Sequence, residues 1–171
     1  MPGDDLLPVV SYRSTRAISI DVPPERVWPW LVQVGCGRAG FYADDLLDNF
    51  GQPSATTIVS DLQRLSAGAL VPMSASPTPD TAFEVTDLDA PRWLLWTKRD
   101  STWSWRLSST TTGETRLVTR LQAMHDWRRP AAGASSWVLL ELGDFAMMRR
   151  MLRGIKHRAE SSNLADDSSA A

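Results

Sequence analysis

The feature that most constrains this chain is the stretch from residue 82 to 125, where four alternating segments follow one another with little between them. Ala82–Asp89, Arg92–Lys98, Thr102–Ser108 and Thr115–His125 each carry the period-two apolar pattern of a half-buried strand. Their connections, Ala90-Pro91, Arg99-Asp100 and Thr110-Thr111-Thr112-Gly113-Glu114, are of hairpin length. Segments joined in this way form an antiparallel meander, and one face of such a sheet must be covered. The element long enough to cover it follows directly: a helix starting near Ser135 and running to about Glu160.

The chain ahead of the meander adds one more strand and two short helices. Thr15–Val22 alternates, with Ile18, Ile20 and Val22 on one face. Pro23-Pro24-Glu25 then opens a helix carrying Val27, Trp30, Leu31 and Val34 at helical spacing, in which Pro29 costs one backbone bond or forces a kink. The GCGRAG run ends it, and Tyr42–Phe50 reads as a second helix closed by Gly51. Residues 51–80 are mostly irregular, with a short strand expected at Ala69–Met73. The inward sets of the sheet are then Ile18, Ile20, Val22; Phe83, Val85; Trp103, Trp105, Leu107; and Leu117, Thr119, Leu121, Ala123, His125, with Arg116 and Arg120 turned to solvent. In Arg92–Lys98 both faces, Trp93/Leu95 and Leu94/Trp96, are apolar, and periodicity does not choose between them.

The expected class is therefore α+β: a curved antiparallel sheet wrapped around a long C-terminal helix, with two short helices after the first strand. With 171 residues, one domain is expected over residues 13–160, after a loose lead-in (1–12) and before a flexible tail (161–171). A net charge of −2 argues against a dedicated nucleic-acid binder. Cys36 is the sole cysteine, so neither an internal disulfide nor a cysteine-rich metal site is expected. The opening MPGDDLLPVV lacks the positive charge of a signal peptide, and no apolar run reaches spanning length. A cytoplasmic protein with no cofactor and no transmembrane segment is the expectation; the oligomeric state is open.

Three stretches carry a family resemblance: ISIDVPPERVWPWLVQVG, GRAGFYADDLLDN and LLELGDFAMMRRMLRGIKHRAE. Together they resemble the helix-grip fold of the SRPBCC superfamily, which includes START lipid-transfer domains, birch-pollen-allergen-like proteins and aromatic polyketide cyclases. The second and third are similar to a bacterial subgroup. That subgroup often has Gly-Asp where this chain has Gly68-Ala69, and Ser-Tyr where Ala43-Asp44 precede Asp45. The resemblance implies a deep apolar cavity between sheet and long helix. It does not fix an activity, because this fold hosts carriers, receptors and enzymes.

Eight tryptophans beside two tyrosines and four phenylalanines sharpen that expectation. Trp103 and Trp105 share a strand face, with Trp93 or Trp96 next door. Such a ladder suits either a flat apolar ligand or plain core packing. On a helical wheel Trp137, Leu140, Phe145, Met147, Met148, Met151, Leu152 and Ile155 fall within an arc of about 160°. Met148 and Met151 thus form an adaptable wall opposite the indoles.

Two acids, Glu141 and Asp144, break that apolar arc. Either they titrate in an apolar pocket as acid or base, or Gly143 interrupts the helix and Asp144 caps a helix starting at Phe145. His125 is a candidate general base or a strand-end histidine with a satisfied hydrogen bond. Arg38, Tyr42 and Asp45 flank the glycine loop near the expected cavity mouth, where Arg38 and Tyr42 could contact ligand oxygens; the structural alternative is an Arg38–Asp45 pair or an Asp cap on the short helix. The two histidines lie on different elements, so no metal site is expected. GCGRAG follows a helix and so is not a dinucleotide fingerprint.

Two main function classes follow. One is a module binding a small hydrophobic or aromatic ligand, lipid- or polyketide-like; the other is a polyketide cyclase/dehydratase-like enzyme using Glu141, Asp144 or His125. A weaker third is a co-chaperone-like interaction domain using the basic cluster Arg149, Arg150, Arg153, Lys156 and Arg158, which also reads as a solvated helix face.

Overall fold

The computed structural model describes residues 1–124 and 134–169, and their side chains apart from those of 48, 134–144 and 163–169. Strand β1 (Tyr12–Ile20) leads into helix α1 (Pro24–Val32) and the single turn α2 (Asp45–Asp48). Strands β2 (Leu70–Pro72), β3 (Ala82–Asp89), β4 (Trp93–Lys98), β5 (Ser101–Ser109) and β6 (Thr115–Ala123) follow, and helix α3 (Ala134–Ser169) closes the chain. The six strands form one antiparallel sheet in the order β1-β6-β5-β4-β3-β2. This is the expected α+β helix-grip architecture, with the meander ordered as the short connections require.

Several boundaries differ from the sequence reading, each for a local reason. β1 stops at Ile20, with Asp21 and Val22 between it and the proline pair that opens α1. α1 keeps Pro29 in its interior and buries Val27, Trp30 and Leu31. The second helix shrinks from Tyr42–Phe50 to four residues, because Tyr42 (φ 59°) and Phe50 (φ 53°) are both left-handed and cannot belong to a right-handed helix. At its far end α3 continues to Ser169, beyond the expected Glu160; no Gly or Pro follows Gly154 to stop it.

Register settles the undecided faces of β4. Leu94 pairs with Trp105 and Trp96 with Trp103, so Leu94 and Trp96 look inward and are fully buried. Trp93 and Leu95 take the outer face. A bulge at Val85/Asp87 corrects the phase of β3, which puts Leu88 opposite Leu94 on the inner side.

The outer face is not bare. The first residues lie against it: Gly3 sits beside the Leu95 side chain, and Asp4 forms an ion pair with Arg120. Arg120 is thereby partly covered, whereas Arg116 is exposed as expected and donates to Ser19 Oγ (3.1 Å).

The inner face and α3 share one buried cluster that includes Ile20, Trp30, Phe83, Trp96, Trp105 and Ile155. Helix α3 packs against α1 and β1. Its buried positions, Met148, Met151, Leu152, Ile155 and Ala159, span about 100° of the helix, narrower than the expected arc. Phe145 and Met147, at the two edges of that arc, are exposed.

Candidate functional site

The meander positions the most distinctive cluster in the molecule. Because β4 and β5 pair in register, Trp96 and Trp103 face the same side and their rings meet edge to face, centroids 5.3 Å apart at 83°. Trp105, two residues along, lies 5.7 Å from Trp96 at 65° and 5.1 Å from Trp103 at 30°. Phe83 of β3 completes the group, 5.8 Å from Trp103. Edge-to-face and tilted pairs at these distances are the favoured aromatic geometries. Met148 and Met151 are buried in the same cluster from the helix side. Trp93 is not part of it: on the outer face it lines a separate open cleft of about 680 Å³ with Met1, Pro24, Arg92 and Arg106.

The three inner tryptophans are not equivalent in their polar ends. Trp103 Nε1 donates to Thr119 Oγ1 at 2.8 Å, the diagonal neighbour on β6. The Nε1 groups of Trp96 and Trp105 are buried without any acceptor among the described residues.

Arg16 belongs to the same inner face and was not singled out from the sequence. Its register partner is Thr119, itself paired with Trp105, so the row Arg16, Thr119, Trp105, Leu94 crosses four strands. The Arg16 guanidinium lies 5.0 Å from the centroid of the Phe145 ring. Continuing the Ile18/Ile20 alternation two residues toward the N-terminus would have found it.

The loop cluster around Tyr42 is built differently from either sequence expectation. Arg38 does not pair with Asp45. Its Nε and Nη2 donate to the carbonyls of Val34 (3.1 Å) and Val32 (2.9 Å), satisfying acceptors left open at the end of α1. Burial lowers its pKa, with Tyr42 acting in the opposite sense. Asp45 accepts from Ser54 Oγ. Asp44 stands at the N-cap position of α2 without a side-chain cap bond, and pairs with Arg150 of α3 at 2.7 Å.

Tyr42 is the hub of this region. Its hydroxyl accepts from Gln33 Nε2 (2.9 Å) and donates to the Trp30 carbonyl (3.1 Å). Its ring lies 4.5 Å beneath the Arg158 guanidinium, which also donates to the Ala55 carbonyl. Burial pushes the phenol up to about 12, partly opposed by the Gln33 hydrogen bond and the Arg158 and Arg38 charges.

Gln33 was missed in the sequence because it sits inside the apolar run Leu31–Val34. It is fully buried, and its carbonyl oxygen accepts from Val59 N (2.9 Å) and Gln63 Nε2 (3.1 Å), tying α1 to the irregular segment. Arg158 and Lys156, placed with the basic face from sequence, also work internally: Lys156 donates to the Ser19 carbonyl and pairs with Glu160.

Of the remaining candidates, His125 lies outside the described residues, as do the side chains of Glu141 and Asp144. The backbone of α3 runs through Gly143 without a break, so Asp144 is inside the helix and is not its N-cap. Among the described residues, no three His, Cys, Asp or Glu side chains gather in a group able to hold a metal ion. No helix among them is long and apolar enough to cross a membrane.

A six-stranded antiparallel sheet with one long C-terminal helix packed against it is the helix-grip fold that the sequence resemblance implied. Solved structures share that fold. The chain is similar to the Staphylococcus saprophyticus protein SSP2350, with 13% identity, a TM-score of 0.53, and coverage of 87% of this chain and 92% of that one. It is similar to the Polyketide_cyc-like protein Cgl2372 of Corynebacterium glutamicum, with 15% identity, a TM-score of 0.53, and coverage of 91% and 95%. The Bacillus halodurans protein BH1534 gives 17% identity, a TM-score of 0.53, and coverage of 86% and 99%. At these identities the likeness is one of fold. No family model and no curated protein matches the sequence.

Proposed function

We propose that this protein binds a small hydrophobic or aromatic ligand, lipid- or polyketide-like, against the Trp- and Met-lined inner face between the sheet and α3. The observation that carries the reading is the concentration of Phe83, Trp96, Trp103 and Trp105 on adjoining strands, under helix positions filled by Met148 and Met151. Flat indole walls suit planar apolar ligands, and flexible thioethers adapt to their outline. The single, buried and unbridged Cys36 suits a cytoplasmic setting.

Binding of an apolar fluorophore such as 1-anilinonaphthalene-8-sulfonate tests the reading. Saturable binding with one site per chain is expected. Absence of binding, together with solvent extraction of the purified protein yielding no small molecule, would remove it.

The second reading is a polyketide cyclase/dehydratase-like enzyme. The unbroken helix through Gly143 favours it, because Glu141 and Asp144 then stand on one continuous helix with Met148 and Met151. The Polyketide_cyc-like name of the Corynebacterium glutamicum protein points the same way. Substrate placement would supply most of the catalysis, and a carboxylate or His125 would move the proton. Incubation with a thioester of a linear poly-β-ketone measures it. Cyclised product lost in Glu141→Gln, Asp144→Asn or His125→Ala supports the enzyme; equal yield in all three removes these residues from any catalytic role.

A further inference from the structure

Helix α2 turns its apolar side chains away from the protein: Leu46, Leu47 and Phe50 are 75%, 71% and 62% exposed. The turn itself is pinned from behind. Asn49 is buried and donates to the Gln52 carbonyl (2.7 Å), Gly51 N donates to the Asp45 carbonyl, and Tyr42 and Ser54 are buried on either side. Phe50 also holds a left-handed backbone (φ 53°), and Gly51 (φ 76°) follows it in the same region. Asn-Gly meets such a pair at least cost, whereas a phenylalanine there adds strain. Its ring takes no part in the buried cluster. Folding therefore gives no reason for this phenylalanine; a contact outside the chain does.

Area and charge indicate what that contact is. The three side chains present on the order of 400 Å² of apolar surface, about half of what one partner gives to a stable protein interface. A bilayer needs no matching surface and takes apolar side chains at a loop tip singly. Of the acids in and beside α2, Asp44 pairs with Arg150 at 2.7 Å and Asp45 accepts from Ser54 Oγ. Met147, three residues before Arg150 and on the same side of α3, is a fourth exposed apolar side chain. Arg149 and Arg153 lie exposed on α3 around Arg150, with no ion pair among the described residues. The whole chain carries −2, so attraction to an anionic surface has to come from this local group. We infer that α2 is a membrane-docking tip: Leu46, Leu47 and Phe50 enter the interface of a bilayer carrying anionic lipid, and Arg149 and Arg153 meet its headgroups. This docking does not depend on what the inner face binds.

The test is flotation of the wild-type chain with large unilamellar vesicles, either phosphatidylcholine alone or an equimolar mixture of phosphatidylcholine and phosphatidylglycerol. Binding to the mixture is expected to be at least about fivefold tighter and to fall in high salt. Phe50→Asn should weaken binding to the mixture by about fivefold or more, while stability in urea stays equal or rises, because Asn suits the left-handed backbone. Leu46→Ser combined with Leu47→Ser should abolish binding. Arg149→Glu combined with Arg153→Glu should remove the preference for the mixture. No binding by the wild-type chain, or equal binding to both vesicles, would overturn the inference. So would binding that the arginine changes abolish and the Leu46, Leu47 and Phe50 changes leave intact, which marks plain electrostatic adsorption. A wild-type dimer in light scattering that dissociates in the Leu46→Ser, Leu47→Ser chain would overturn it in favour of a second copy. The wild-type comparison decides the matter even if a variant fails to fold, and fluorophore binding at the inner face is read separately.

Discussion

Gly154 of α3 stands directly against the backbone of Tyr42: a Cβ built on Gly154 would collide with the Tyr42 carbonyl oxygen and crowd its Cβ. The helix approaches this loop so closely only because the position has no side chain. Tyr42 meanwhile holds a left-handed backbone that non-glycine residues rarely adopt. The contact joins the loop after α1 to the helix that covers the aromatic face.

Gly154→Ala should therefore reverse the usual rule. In an exposed helix the change stabilises by about 1 kcal/mol. Here it should destabilise by about 1–3 kcal/mol, because the obstacle is backbone and cannot swing aside. Urea unfolding measures the sign, and a gain in stability would show that the helix does not dock as described.

Tyr42→Phe removes a hydroxyl that both accepts and donates in the interior, at an expected cost of about 1–3 kcal/mol. Its pH dependence is a second check. Burial first of all pushes the phenol from 10.0 up to about 12. A raised folded pKa means that the contribution is complete below pH 10, where both states hold the proton. It declines as pH rises toward 12, because the unfolded chain ionises first. The stability gap between wild type and Tyr42→Phe should thus narrow by up to about 1.4 kcal/mol per pH unit over that window. A gap independent of pH would contradict the burial of this hydroxyl.

Gln33→Ala should cost more than a surface change, about 2–4 kcal/mol, since it strands the Val59 N–H and removes a donor to Tyr42. The effect should concentrate in the irregular segment that Gln33 anchors. Limited proteolysis is expected to cut residues 55–66 faster in the variant than in wild type, with the meander still protected.

Thr119→Val deletes the acceptor of Trp103 while keeping shape, and leaves the Trp103 indole donor without it. A loss of about 1–3 kcal/mol is expected by chemical denaturation. No loss would mean that this hydrogen bond does not hold the indole in place.

These relationships were unevenly legible in the sequence. The bounds of β3 were readable to the residue, because turn residues flank it, whereas the bulge at Val85/Asp87 that brings Leu88 inward was not. The two faces of β4 were not, since Trp93, Leu94, Leu95 and Trp96 are all apolar; what separates them is the N-terminal segment, which brings Gly3 against Leu95 on the outer side. The second helix was overextended because nothing in its letters shows that Tyr42 and Phe50 are left-handed. The aromatic group was visible as Trp103 and Trp105, yet the pairing of its N–H groups depends on which side chains lie opposite, as Thr119 does for Trp103. Arg38 illustrates the same limit: its charge suggested a ligand contact, while the carbonyls of Val32 and Val34 at the end of α1 claim two of its donors.

The central claim is that the Trp96, Trp103 and Trp105 face receives an aromatic ligand. The most direct measurement is energy transfer from tryptophan, excited at the red edge of its absorption, to anthracene titrated into the wild-type chain. Saturable sensitised emission with one site per chain, weakened in Trp96→Phe and unchanged in Trp93→Phe on the outer face, is the expected result. Quenching that rises linearly without saturation, or that is equally affected by both substitutions, would contradict the claim.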